Sequence, residues 1–145
     1  MADLTHGAIR WKYPKSPVGP EEIARVEAAF GVELPADYAA VAIAHPGARP
    51  RPNRFDTSKR KGARLKTFLS LSDKDAGNIL QIKEWLGDRL MGRMVPFASD
   101  DGGNYVCFHD LNPPLQPIVV LWNHEQPAQY EFIASSFREF IQSLY

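Results

Sequence analysis

Residues Val95–Asp110 read VPFASDDGGNYVCFHD. The stretch runs apolar, turns, and runs apolar again. Val95–Ala98 suits a buried strand, and Tyr105–Phe108, aromatic, β-branched or small, suits the returning one. Between them Asp100-Asp101-Gly102-Gly103 is turn chemistry. Two adjacent glycines can adopt positive φ, and the carboxylates carry the exposed charge of the turn. A third apolar run, Pro117–Trp122 (PIVVLW), follows a loop containing Asn112, Pro113 and Pro114. Three strands joined by such turns predict an antiparallel meander. Read from the residues alone, the chain is a small α+β domain with helices packed on that sheet, and no catalytic signature stands out.

Helices are expected on both sides of the meander. Gly19-Pro20-Glu21-Glu22 starts one over about 20–30, where Ile23, Val26 and Phe30 share a face and Gly31 ends it. Pro35 begins a second over about 36–44, with Tyr38, Val41 and Ala42 inward and Pro46-Gly47 beyond its end. Leu65–Leu71 reads as a strand. Ser72-Asp73 reads as the cap of a third helix over about 74–90, with Trp85 widening the apolar face set by Ile79, Ile82, Leu86 and Leu90. Tyr130–Ile133 reads as a last short strand. Ser136-Phe137-Arg138-Glu139 fits a capping box for a closing helix over about 136–144. Residues 1–18 read as an N-terminal arm, in which Ile9, Trp11 and Tyr13 alternate as in an edge strand, and 19–145 as one domain.

Size and composition are those of an ordinary soluble protein of 145 residues. No apolar run approaches the roughly 20 residues that span a bilayer, and the first residues lack an apolar signal segment. Cys107 is the only cysteine. Intrachain disulfides are therefore excluded, a cytoplasmic setting is expected, and Cys107 itself reads as a small buried hydrophobe. The three tryptophans, Trp11, Trp85 and Trp122, read as core or near-core.

The net charge of zero hides a segregation. Residues 49–66 hold eight Lys or Arg against Asp56 alone, a net +7, whereas 94–137 hold no Lys or Arg and five carboxylates, a net −5. Such asymmetry concerns partners rather than fold. Residues 45–63 read as a long, exposed, mobile loop with Phe55 as its anchor. As a binding surface the basic stretch suits an acidic protein better than nucleic acid, because Phe55 is its one aromatic neighbour.

Asp100, Asp101, His109, Asp110, His124 and Glu125 lie on or beside the expected turns and, if they converged, could hold a divalent cation or act as an acid/base pair. Their spacing matches no zinc, EF-hand or metalloprotease pattern. Gly102-Gly103 opens no helix and lacks a P-loop lysine, and no serine has G-x-S-x-G context. Turn and surface roles explain these residues without a metal or cofactor.

Three segments resemble the SUKH superfamily, which includes fungal cell-wall-synthesis regulators and bacterial immunity proteins. Glu21–Tyr38 (EEIARVEAAFGVELPADY) is similar to its opening helix, glycine and L-P-x-D-Y start of helix two. Pro96–Tyr105 (PFASDDGGNY) is similar to its central strand-turn-strand. Ile133–Leu144 (IASSFREFIQSL) is similar to its closing S-F-x-x-F helix. Where many members carry N-G-G after helix two, this chain has Ala44-His45-Pro46-Gly47. The resemblance implies one bent, mainly antiparallel sheet flanked by about four helices and no catalytic machinery. It also implies a protein partner, in bacteria a toxin domain encoded nearby and possibly a nuclease, neutralised by direct binding. Asp100, Asp101, Asn104, Asp110 and Glu125 are then the first candidates for the contact surface. Arg49, Arg51, Arg54, Lys59, Arg60 and Lys61 are the second. A small metal-dependent enzyme built on the Asp100/Asp101/His109/Asp110/His124 cluster and a regulatory scaffold are the competing readings.

Overall fold

In the computed structural model, which describes residues 9–113 and 115–145, Phe97 sits at the centre of an aromatic core. Its ring stacks on Phe108 with centroids 4.3 Å apart and meets the rings of Tyr38, Phe68, Phe137 and Phe140 edge-on. These residues come from two helices and three strands. The core therefore forms only when those elements meet, and such pairs add to the area they bury.

Among the described residues the elements are eight strands and four helices: β1 Arg10–Lys12, α1 Pro20–Phe30, α2 Ala36–Ala44, β2 Arg49–Arg51, β3 Arg54–Phe55, β4 Ala63–Phe68, α3 Ile79–Leu86, β5 Met94–Asp100, β6 Tyr105–His109, β7 Ile118–Trp122, β8 Tyr130–Ala134 and α4 Phe137–Ser143. A 3₁₀ turn, Gly87–Arg89, follows α3. Strands β3 to β8 form one six-stranded sheet in chain order, every pair antiparallel, and β1 pairs with β2 in a separate two-stranded ribbon. This is the expected α+β single-domain fold, with the meander at 95–122 in place. The sheet curls until its ends approach: Ser58 N donates to Phe132 O at 2.8 Å, carrying the chain after β3 onto β8. Within the expected arm, residues 1–8 lie outside the described residues.

Local chemistry explains the element ends. Gly19 N donates to the Glu22 carboxylate at 2.6 Å to open α1, and Gly31 closes it in the left-handed region. Ser136 Oγ accepts from Glu139 N, and the returning Glu139 carboxylate takes Ser135 N rather than the cap residue's own N–H. Pro96 is tolerated in a central strand because it sits at a bulge, where the register with β6 shifts between Pro96 and Ala98.

Three expectations fail here. Helix α3 begins at Ile79, not near 74. Asn78 Oδ1 caps Gln81 N, and Ser72-Asp73 instead makes a turn in which Asp75 binds Ser16 and Ser70. Trp85 on this helix is 58% exposed, outside the core. The stretch 45–63 is likewise not a free loop. It contains β2 and β3, and Phe55 is fully buried against Phe140.

Tyr38 fills the core with its ring, yet its hydroxyl is buried without a hydrogen-bond partner, and burial alone pushes its pKa far above the ordinary phenol value. Removing an unpaired buried hydroxyl removes a desolvation penalty and little else. Tyr38→Phe is therefore expected to unfold at the same or a higher temperature, by up to about 1 kcal/mol of added stability. A melt lowered by more than that would show that the hydroxyl has a partner in solution.

Candidate functional site

The central turn between β5 and β6 is tied by one carboxylate and one amide. Asp100 Oδ1 accepts from Gly102 N at 2.9 Å and Asn104 N at 2.7 Å, and Asp100 Oδ2 accepts from Asn104 Nδ2 at 3.1 Å. Asn104 Oδ1 accepts from His124 N at 3.1 Å, joining this turn to the one between β7 and β8. Asp101 N donates to Arg64 O on β4. Of the two glycines only Gly103 takes positive φ, +82°. A Cβ at Gly102 would make a tight contact, 3.3 Å from Asn104 Nδ2.

The expected acidic surface is thinner than the composition implies. Asp100, Asn104 and Asp110 are buried, and so is Glu131. Asp110 is paired with Arg93, which also donates to the Asp110 carbonyl. Glu131 takes a bidentate pair from Arg60 at 2.8 and 2.6 Å and a bond from Thr57 at 2.7 Å. Of the five carboxylates in 94–137 only Asp101 and Glu125 are exposed. The exposed charge assigned to Asp100 is thus corrected: a carboxylate that must accept three turn hydrogen bonds cannot also face solvent. Asp101 and Glu125 remain as surface charge, with His124 beside Glu125 at 3.9 Å.

The five-residue Asp/His group is divided by the strand itself. Asp100, Asp101 and His124 lie at the start of β6, and His109 and Asp110 at its end, so about five residues of extended chain, roughly 17 Å, separate them. Among the described residues no three His, Cys, Asp or Glu side chains are placed to share a metal ion. His109 stacks edge-on against Tyr130, and its Nδ1 is buried without a partner. Burial lowers its pKa, outweighing the upward pull of the Arg93 carbonyl and Asp110. Cys107 is fully buried, and burial pushes its thiol far above the ordinary value, which leaves it inert.

The basic candidates divide differently. Arg60 is committed to Glu131. Lys59 and Lys61 are exposed on the β3–β4 turn. Arg49 and Arg51 lie on β2 opposite Lys12 and Arg10 of β1, and Arg54 on β3 lies opposite Arg64 of β4. Arg10 and Lys12 escaped the sequence reading. Their signal was the alternation Arg10-Trp11-Lys12, which mirrors Arg49-Pro50-Arg51. An open groove of about 420 Å³ lies beside the central turn, lined in part by Lys15, Lys66, Ser99, Asp101 and Tyr105. Lys15 Nζ donates to Gly47 O at 2.6 Å and Thr67 Oγ1 at 3.0 Å. Burial lowers its pKa, and the Arg49 charge lowers it further against Asp75.

Two outcomes follow from these contacts. Asp100→Ala is expected to lose about 1–3 kcal/mol, because it strands turn donors in a buried site. Asp101→Asn should stay within about 0.5 kcal/mol of the parent. Urea melts of the two variants compare them directly, and equal midpoints would deny Asp100 its structural role. For Glu131, burial raises the carboxyl pKa but the Arg60 and Thr57 hydrogen bonds outweigh it and hold the group below 4.5. A depressed carboxyl stabilises the fold above its unfolded pKa and loses that effect as pH falls through the folded one. Glu131→Gln should therefore cost about 1–2 kcal/mol near pH 7, moderated by the partial exposure of Arg60. The deficit should shrink below about pH 4, and a pH-independent deficit would show that the ion pair is not its source.

No curated protein matches the chain. The family model described as SMI1 / KNR4 family (SUKH-1) matches residues 17–143, which takes in all four helices and the whole six-stranded sheet but not β1. Such a match covers most of the 145 residues, and the chain belongs to the SMI1/KNR4 (SUKH-1) family.

Proposed function

We propose that this protein is a non-catalytic protein-binding module, and that it acts as an immunity protein which neutralises a cognate bacterial toxin domain by direct contact. The family match over residues 17–143 carries this reading. The disposition of side chains supports it. The groups with chemical potential, Asp100, Asn104, Asp110 and Glu131, are used to hold turns and strands together. Much of the charge that faces outward lies on the strand pairs β1–β2 and β3–β4, as suits recognition by electrostatic complementarity.

The test is to look for a toxin domain encoded beside this chain and co-express the two. Growth should be restored, and the two proteins should co-purify in fixed stoichiometry. Continued killing with no association would refute the proposal. Rescue without association would point to regulation rather than neutralisation.

A further inference from the structure

The β1–β2 ribbon places like charges in register. Arg10 stands opposite Arg51 and Lys12 opposite Arg49, while Trp11 and Pro50 form the intervening rung. Trp11 turns inward, stacked on His45 at 5.2 Å and edge-on to Phe68 at 5.1 Å. That orientation forces the flanking cations outward, since successive strand side chains take opposite faces. The β3–β4 pair repeats the arrangement with Arg54 opposite Arg64. Three rungs of a small molecule thus carry two positive charges each. Among the described residues none of these six cations has a carboxylate within salt-bridge distance. The rungs are neighbours: two residues, Pro52 and Asn53, link β2 to β3, and Phe68 N of β4 donates to Ala48 O just before β2 at 3.0 Å.

Like charges directly opposite one another destabilise a strand pair. Folding therefore gains nothing from this pattern, and an oppositely charged partner relieves it. Arg60, by contrast, is drawn away to Glu131 and serves the fold, as Arg93 does through Asp110. Resting on the reading of the chain as a protein-binding module, we infer that the paired cations of β1–β2 and β3–β4 form its docking surface for a carboxylate-rich face of a partner protein. Five of the six are arginines, whose planar forks match carboxylates bidentately. Nucleic acid is the less suited polyanion. A single strand needs exposed rings to stack on, and here Trp11 is turned inward, leaving Tyr13, 70% exposed with Arg49 5.9 Å from its ring centre. The net charge of zero also lacks the strongly basic balance of a nucleic-acid binder. Strand β1 lies outside the residues matched by the family model.

The experiment compares the parent, Arg49→Glu/Arg51→Glu and Arg54→Gln/Arg64→Gln on immobilised poly-L-glutamate and on single-stranded oligo-dT of matched charge, with thermal melts alongside. The parent should be held on polyglutamate at physiological salt and released as salt rises. Both variants should melt at or above the parental temperature, and the Arg49/Arg51 variant should bind on the order of tenfold more weakly. Stronger retention on oligo-dT than on polyglutamate would overturn the inference in favour of nucleic acid. Absence of retention on both, or variants that bind as the parent does, would overturn it outright. The same variants in the toxin co-expression assay separate the two proposals. Rescue unchanged by Arg49→Glu/Arg51→Glu removes this surface but keeps the immunity reading. Charge-dependent polyglutamate binding without rescue keeps the surface and removes that reading.

Discussion

The placement of Phe97 is the constraint on which the rest of the structure depends. It is the extra residue of a bulge in β5, and its ring reaches residues from α2, β4, β6 and α4. A regular strand could not hold Val95, Phe97 and Ala98 in their observed positions while keeping register with β6. Pro96 makes the irregularity inexpensive, because it has no N–H to lose from the ladder. The helices then need little intrinsic stability. Helices of 7 to 11 residues are marginal by themselves in water; here α2 and α4 are held by the aromatic rings they bring to the core, and α1 and α3 by buried aliphatic side chains such as Val26 and Ile79.

Polar chemistry in this fold divides into an internal and an external part. Inside, a few groups with several hydrogen-bonding atoms each settle many backbone demands at once. Asp100 and Asn104 organise two turns, Asp75 gathers Ser16 and Ser70, and Glu131 draws the β3–β4 turn onto β8. Each is a buried or half-buried carboxylate or amide with its partners present, the condition under which burial is tolerated. Outside, the cations of the ribbon and of β3–β4 face one another without acidic partners among the described residues. The apparent acidic half of the chain and its basic half are therefore not equivalent. One is largely consumed by the fold and the other is left for contact.

That inequality gives the binding reading its direction. A scaffold of helices and curled sheet supports a surface whose charges lie on two short antiparallel strand pairs. Long-range attraction from such a surface speeds encounter more than it deepens affinity, and it discriminates against partners of like charge. No helix among the described residues is long and apolar enough to cross a membrane.

By itself the sequence determined the sheet and most helix positions. Alternating apolar runs, Gly-rich turns and capping residues act over a few neighbours, and such short-range rules are readable in order along the chain. Strands β4 to β8 and helices α1, α2 and α4 follow from them, whereas β3, Arg54–Phe55, lies in a stretch that reads as loop. Helix α3 started late because Ser72-Asp73 and Asn78 offer similar caps, and only the bonds from Ser16 and Ser70 to Asp75 choose between them. Burial of individual charges was not readable at all. Asp100 and Asp101 are adjacent and chemically identical, yet one faces its own turn and the other faces water. Likewise Arg49-Pro50-Arg51 is indistinguishable from loop until Arg10-Trp11-Lys12, some forty residues away, pairs with it. Which charges are left free depends on contacts between distant segments, and those are decided by the tertiary structure.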